Sequence, residues 1–159
     1  MVDPAVYATL SLLVTTASAP LYWRGVRVIV DADPVTWSVL VRHLRLVGAG
    51  LLLTTGAVAL WMVPRLPDQF GGFAVLHAVV GLQAYALLAF ALTGIVPIFR
   101  EKWRADLYHA PGRDVSLDDL HEDVDTWRKR LRVGVLGYAG LWVVAWVLGV
   151  VRYLLRYWL

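Results

Sequence analysis

Cysteine is absent from the 159 residues, which excludes disulfides, thiolate metal ligation, iron–sulfur clusters and thiol catalysis. Charge is scarce as well: 17% of the residues are Asp, Glu, Lys or Arg, whereas 59% are hydrophobic. Soluble domains carry about 25% charged residues, so this shortage points to lipid as the solvent. The net charge of +3 reads as topology and lipid contact, and nucleic acid is set aside as a partner. No GxSxG elbow, P-loop, dinucleotide fingerprint, zincin motif or convergent pair of intramembrane carboxylates occurs, which argues against an enzyme. Asp3 stands where a secretory leader would carry Lys or Arg, so the first apolar run is expected to stay in the mature chain.

What is present is a set of long apolar runs. A membrane helix needs roughly 20 mainly apolar residues to cross a core about 30 Å thick, and only helices satisfy the backbone of such isolated runs in lipid. Spans are expected at about 5–23, 40–64, 70–99 and 131–155. The fold class is therefore all-α: an integral membrane four-helix bundle forming one domain over residues 1–159. A cytoplasmic segment, 100–130, carries an amphipathic helix between spans three and four. Arg42 and Arg45 can snorkel to the surface, letting the second helix begin well before residue 46. Spacing leaves open whether the fourth span packs on the first or the third.

Of the 15 Lys and Arg, 12 flank one side of these spans, and only Arg65, Arg152 and Arg156 flank the other. The positive-inside rule then puts both termini outside the cytoplasm. Trp23, Trp37, Trp103 and Trp127 mark the inner ends and Trp61 and Trp158 the outer ends, as interfacial indoles do. In the connecting segment, Pro111, Gly112 and Asp114 signal a turn, after which Ser116 and Asp119 make an approximate capping box. Leu117, Leu120, Val124, Trp127 and Leu131 would form the apolar stripe of that helix.

Candidate sites are few. His77 is an ionisable residue within a span and so a functional candidate by default; Gly81, one turn on, would open its face to a flat ring or another helix. A haem iron needs a second axial ligand, and His43 falls about 21 Å along the axis from His77, too far to share one iron. A packing or hydrogen-bonded role for His77 is therefore preferred. Gln83 needs a polar partner near mid-membrane, and hairpin arithmetic offers Thr54 or Thr55 of the second span, or Tyr138 of the fourth. At the inner surface His43, His109, Asp118, His121, Glu122 and Asp125 form a polar cluster, the last four sharing a helix face. That face could meet a divalent metal but reads more simply as a solvated acidic first turn. Gly134, Gly137 and Gly140, like Gly48, Gly50 and Gly56, read as packing seams.

His77 with Gly81 resembles the haem-bearing helices of small b-type membrane cytochromes over one helix. The segments TWSVLVRHLRLVGAGLLLTTGAVALWMVPRLPDQFGG, LHAVVGLQAYALLAFALTGIVPIF and DVSLDDLHEDVDTWRKRLRVGVLGY look like a haloarchaeal family of four-span membrane proteins of unknown function. That resemblance covers nearly the whole chain and implies an archaeal plasma membrane. The expected role is a non-enzymatic structural or accessory subunit, bound to lipid and to another membrane protein or to further copies of itself. The alternatives are a b-type haem redox protein using His77 and a channel or transporter through Gln83 and His77.

Overall fold

The computed structural model describes residues 3–32, 35–68, 71–109 and 121–159. Among these the regular elements are all helical: α1 (Pro4–Val30), α2 (Trp37–Ala57), α3 (Gly72–Arg104) and α4 (Val124–Tyr157). The Asp3 carboxylate accepts the Ala5 N–H at 2.8 Å and caps α1, with Pro4 at the first helical position, where a missing N–H costs nothing. α2 passes into a π-helical turn, Val58–Met62, and then a 3₁₀ turn, Val63–Asp68, that accommodates Pro67.

Each of the four helices is long and apolar enough to cross a membrane. Large apolar side chains stand outward on them, with Leu52 76%, Leu60 82% and Leu136 71% exposed. Water would not tolerate such a surface, and lipid requires it. The protein is a multi-pass membrane protein built from four helices.

The turn expected at Pro111, Gly112 and Asp114, the cap of Ser116 and Asp119, and Leu117, Asp118 and Leu120 lie outside the described residues. The helix expected from Ser116 does not run through His121, because residues 121–123 form a turn. There His121 Nδ1 accepts the Asp123 N–H at 3.1 Å, a local bond in place of a helical one. α4 then runs unbroken from Val124 into the fourth span, so Val124, Trp127 and Leu131 belong to the spanning helix itself.

The chain falls into two compact units. The first comprises Met1–Asp33, Ser38–Ala78 and Ala145–Leu159. Within it α1 and α2 are antiparallel: Tyr7 stacks on Trp61 with centroids 5.7 Å apart, Ser18 meets Thr54, and Gly25 receives Val47. The C-terminal part of α4 lies antiparallel on α1, where Thr9 donates to the Ala5 carbonyl at 2.8 Å and so accepts from the Tyr153 hydroxyl at 2.7 Å. Lower down, Trp146 Nε1 donates to Thr16 Oγ1 at 3.0 Å. Beyond α2 the Arg65 guanidinium sits 3.3 Å above the Trp61 ring.

The second unit comprises Pro34–Trp37 and Val79–Val144. Here α3 and α4 cross backbone to backbone. A β-carbon on Gly134 would lie 2.6 Å from Ala91, and one on Gly137 2.6 Å from Leu87. Reciprocally, Gly94 of α3 faces the Trp127 carbonyl and the Leu131 amide of α4. Ala84, Ala91, Gly94 and Ile98 are the buried residues of α3, and Ile98 packs with Val124, Trp127 and Leu131. Small residues at these positions replace hydrophobic driving force with close van der Waals approach. The fourth span thus packs on the first within one unit and on the third within the other.

α3 closes with a Schellman motif: Leu107 N–H bonds the Lys102 carbonyl and Asp106 N–H the Trp103 carbonyl, with Asp106 at φ 57°. Aspartate tolerates that left-handed backbone, which glycine more often supplies. The turn brings Tyr108 to the start of α2, where its carbonyl accepts the Trp37 N–H at 3.1 Å. Trp37 then gathers Trp103 at 5.0 Å, Tyr108 at 6.1 Å and Phe99 at 6.4 Å into an aromatic cluster.

Candidate functional site

His77 lies one and a half turns into α3, and its imidazole rests on α4. The Cε1 and Nε2 atoms are each 3.4 Å from the position a β-carbon would occupy on Gly149. Gly149 therefore acts as a recess for the ring. Nδ1 is buried without a hydrogen-bond partner among the described residues. Ala145 and Arg152 of α4 stand one turn either side of Gly149. Gly81 is not part of this contact, since nothing lies within 4 Å of the place its side chain would take.

Deeper in the same unit, α1 and α2 share a chain of hydroxyls. Tyr22 donates to Thr54 at 3.3 Å, Thr54 donates to Ser18 at 2.9 Å, and Ser18 donates to the Thr15 carbonyl at 2.6 Å. Every donor points the same way along the chain, so the bonds polarise one another. Ser18 is 0% and Thr54 4% exposed, so both hydroxyls need these partners. Gly50 admits the Tyr22 ring at 3.0 Å from its absent β-carbon. Nearer the start of α2, His43 Nδ1–H donates to the Gly25 carbonyl at 2.8 Å, and the acceptor fixes the tautomer.

The bond expected between Gln83 and Thr54 is therefore replaced, on the Thr54 side, by Ser18 and Tyr22. Gln83 itself is exposed on α3, and no hydrogen bond of its amide occurs among the described residues. Thr55 is exposed and Tyr138 half-buried, each with contacts of its own.

The polar residues expected at the inner surface do not converge among the described residues. His43 is occupied at the α1–α2 contact, and His109 donates to Asp106 at 3.1 Å in the turn after α3. His121 packs its ring 4.5 Å from that of Trp127. His121 and Glu122 precede α4 while Asp125 lies within it, so the expected shared helix face does not form; Asp118 is outside the described residues. No group of three His, Asp or Glu capable of holding a metal occurs among the described residues. Of the expected seams, Gly50, Gly134 and Gly137 are packed, whereas Gly48, Gly56 and Gly140 face open space.

A family model described as a domain of unknown function, DUF7321, matches residues 4–158. The chain belongs to the DUF7321 family. No curated protein and no solved structure matches it. In this DUF7321 protein the polar residues that join helices include Ser18, Thr54, Tyr22, Thr9, Tyr153, Thr16, Trp146 and His43. Sequence reasoning missed Ser18, Gly25 and Gly149. For Ser18 a signal existed in its flanks, Ala17 and Ala19, which mark a small-residue patch opposite Gly50. For Gly149 the sequence holds none that distinguishes it from the open Gly140.

Proposed function

We propose that this protein is a non-enzymatic structural or accessory subunit of a membrane assembly. The observation that carries the reading is the use of intramembrane polar groups. The Ser18–Thr54–Tyr22 chain, the His43 bond to Gly25, and the Tyr153 and Trp146 bonds to α1 all tie helix to helix. Groups so committed are not held ready for a substrate. The positive-inside bias supports an orientation with both termini extracytoplasmic, and the resemblance to haloarchaeal four-span proteins supports an archaeal plasma membrane.

The haem alternative draws little from the packing. A haem iron bonds an imidazole nitrogen at about 2 Å and needs room beyond it for the porphyrin. Nδ1 of His77 is enclosed and Nε2 lies against the α4 backbone, while His43 falls about 21 Å along the axis from His77, too far to share one iron. These residues do not fit a bis-histidine haem. A conducting path has equally little support, since the amide of Gln83 stands on an exposed face.

Purification from native membranes in mild detergent, followed by identification of co-purifying proteins and a visible spectrum, tests the proposal. A reproducible membrane-protein companion and no haem band is the expected result. A reduced b-type band abolished by His77→Ala would overturn it.

A further inference from the structure

Gln83 is a polar residue whose amide makes no hydrogen bond among the described residues. It sits eleven residues into α3, about 16 Å along the axis from Gly72 and so near the middle of a hydrocarbon core about 30 Å thick. An exposed primary amide at that depth carries two donors and an acceptor into lipid, where each unpaired group is costly. Lipid chains cannot supply partners. Another polypeptide can.

The face around Gln83 has a definite pattern. Val79, Gln83, Ala86, Phe90 and Thr93 are all exposed and recur at steps of four, three, four and three, the spacing of a left-handed helix pair. Thr93 gives its hydroxyl to the Phe90 carbonyl at 2.7 Å, so Gln83 is the member of this face whose polar atoms remain open. A single amide at one core position of such a seam sets register and partner number.

Symmetry selects the occupant. A second copy enters the membrane in the same orientation, so a two-fold axis along the membrane normal brings each residue of α3 opposite itself at equal depth. Glutamine satisfies itself in that arrangement, because the amide of one copy donates to the carbonyl oxygen of the other and accepts in return. An unlike partner would have to carry a matching polar group at the same level. We infer that the Val79 to Thr93 face of α3 is a self-association surface on which Gln83 pairs with Gln83 of a second copy of this chain. The inference rests on the accessory-subunit reading only in that both assign the outer helix faces to assembly.

The chain contains no cysteine, so single cysteines report proximity without background. Ala86→Cys, in native membranes treated with copper phenanthroline, should give a disulfide-linked homodimer, and Leu52→Cys, exposed in mid-span on α2, should not. Adding Gln83→Leu to Ala86→Cys should reduce cross-linking and raise the dimer dissociation constant about tenfold, the scale of an interhelical amide bond in lipid. Gln83→Asn should retain most of the dimer, and unchanged circular dichroism and thermal midpoint would show that each variant is folded. Equal cross-linking at Ala86 and Leu52, adducts of Ala86→Cys only with other proteins, or a dimer unaffected by Gln83→Leu would overturn the inference. A homodimer found without any other companion protein would remove the accessory-subunit proposal and leave the self-association standing.

Discussion

The imidazole of His77 lies on Gly149 of α4, with Cε1 and Nε2 both 3.4 Å from the point where a β-carbon would stand. The histidine occupies a recess that its neighbour's missing side chain provides. Its enclosed Nδ1 has no hydrogen-bond partner among the described residues. A buried polar atom without a partner costs stability, so the residue is tolerated here for its shape more than for its polarity.

An apolar ring at this position should therefore do no harm. His77→Phe is expected to leave the thermal midpoint in detergent unchanged or to raise it slightly, since replacing an unsatisfied polar group by an apolar one of similar shape is neutral to stabilising. A clear drop in the midpoint would show that the imidazole makes an interaction the packing does not reveal.

Gly134 and Gly140 make opposite forecasts from similar sequence surroundings. A methyl on Gly134 would lie 2.6 Å from Ala91 backbone atoms, which cannot yield without separating α3 from α4, whereas nothing lies within 4 Å at Gly140. Gly134→Ala should destabilise the protein by about 1–3 kcal/mol. Gly140→Ala should be neutral, or stabilise by up to about 1 kcal/mol through helix propensity. Thermal unfolding of the two variants side by side decides the matter, and equal effects would contradict the α3–α4 crossing.

These contrasts mark how far the sequence could be read. The four spans were legible because lipid imposes a length and a polarity that a linear string displays directly. Depth was legible too, since a residue's distance from a span's end follows from the helical rise. Azimuth and neighbour were not. The hairpin arithmetic that put Gln83 level with Thr54 fixed a height on the helix and left its direction free. Thr54 instead turned toward α1, where Ser18 and Tyr22 meet it. Gly134 and Gly140 differ by less than two turns and face different surroundings, which a repeat of glycines every third residue conceals. The boundary before Val124 was missed because His121 binds its own chain locally, a choice that an acidic, helix-favouring stretch does not announce.

Alkaline pH provides a test at the turn after α3. Tyr108, beyond the end of α3, is 6% exposed, and burial pushes its phenol above the usual range near 10. The folded state thus favours the neutral phenol. Its contribution to stability is complete below the unfolded pKa of about 10 and is lost as pH rises through the higher folded value. Stability should decline above about pH 10, and Tyr108→Phe should remove part of that decline. Unfolding curves at pH 8 to 12 for both proteins, with phenolate absorbance followed in parallel, check this; identical pH dependence would count against the buried position of Tyr108.

The account turns on helices joined through their buried polar residues, and the contact between Ser18 and Thr54, with oxygens 2.9 Å apart, exposes it most directly. In a chain free of other cysteines, the double variant Ser18→Cys/Thr54→Cys can be oxidised in intact membranes and its free thiols counted with a maleimide. The expected result is an intramolecular disulfide, with labelling blocked until reductant is added. Two thiols that stay fully reactive after oxidation, in a protein that remains folded, would contradict it.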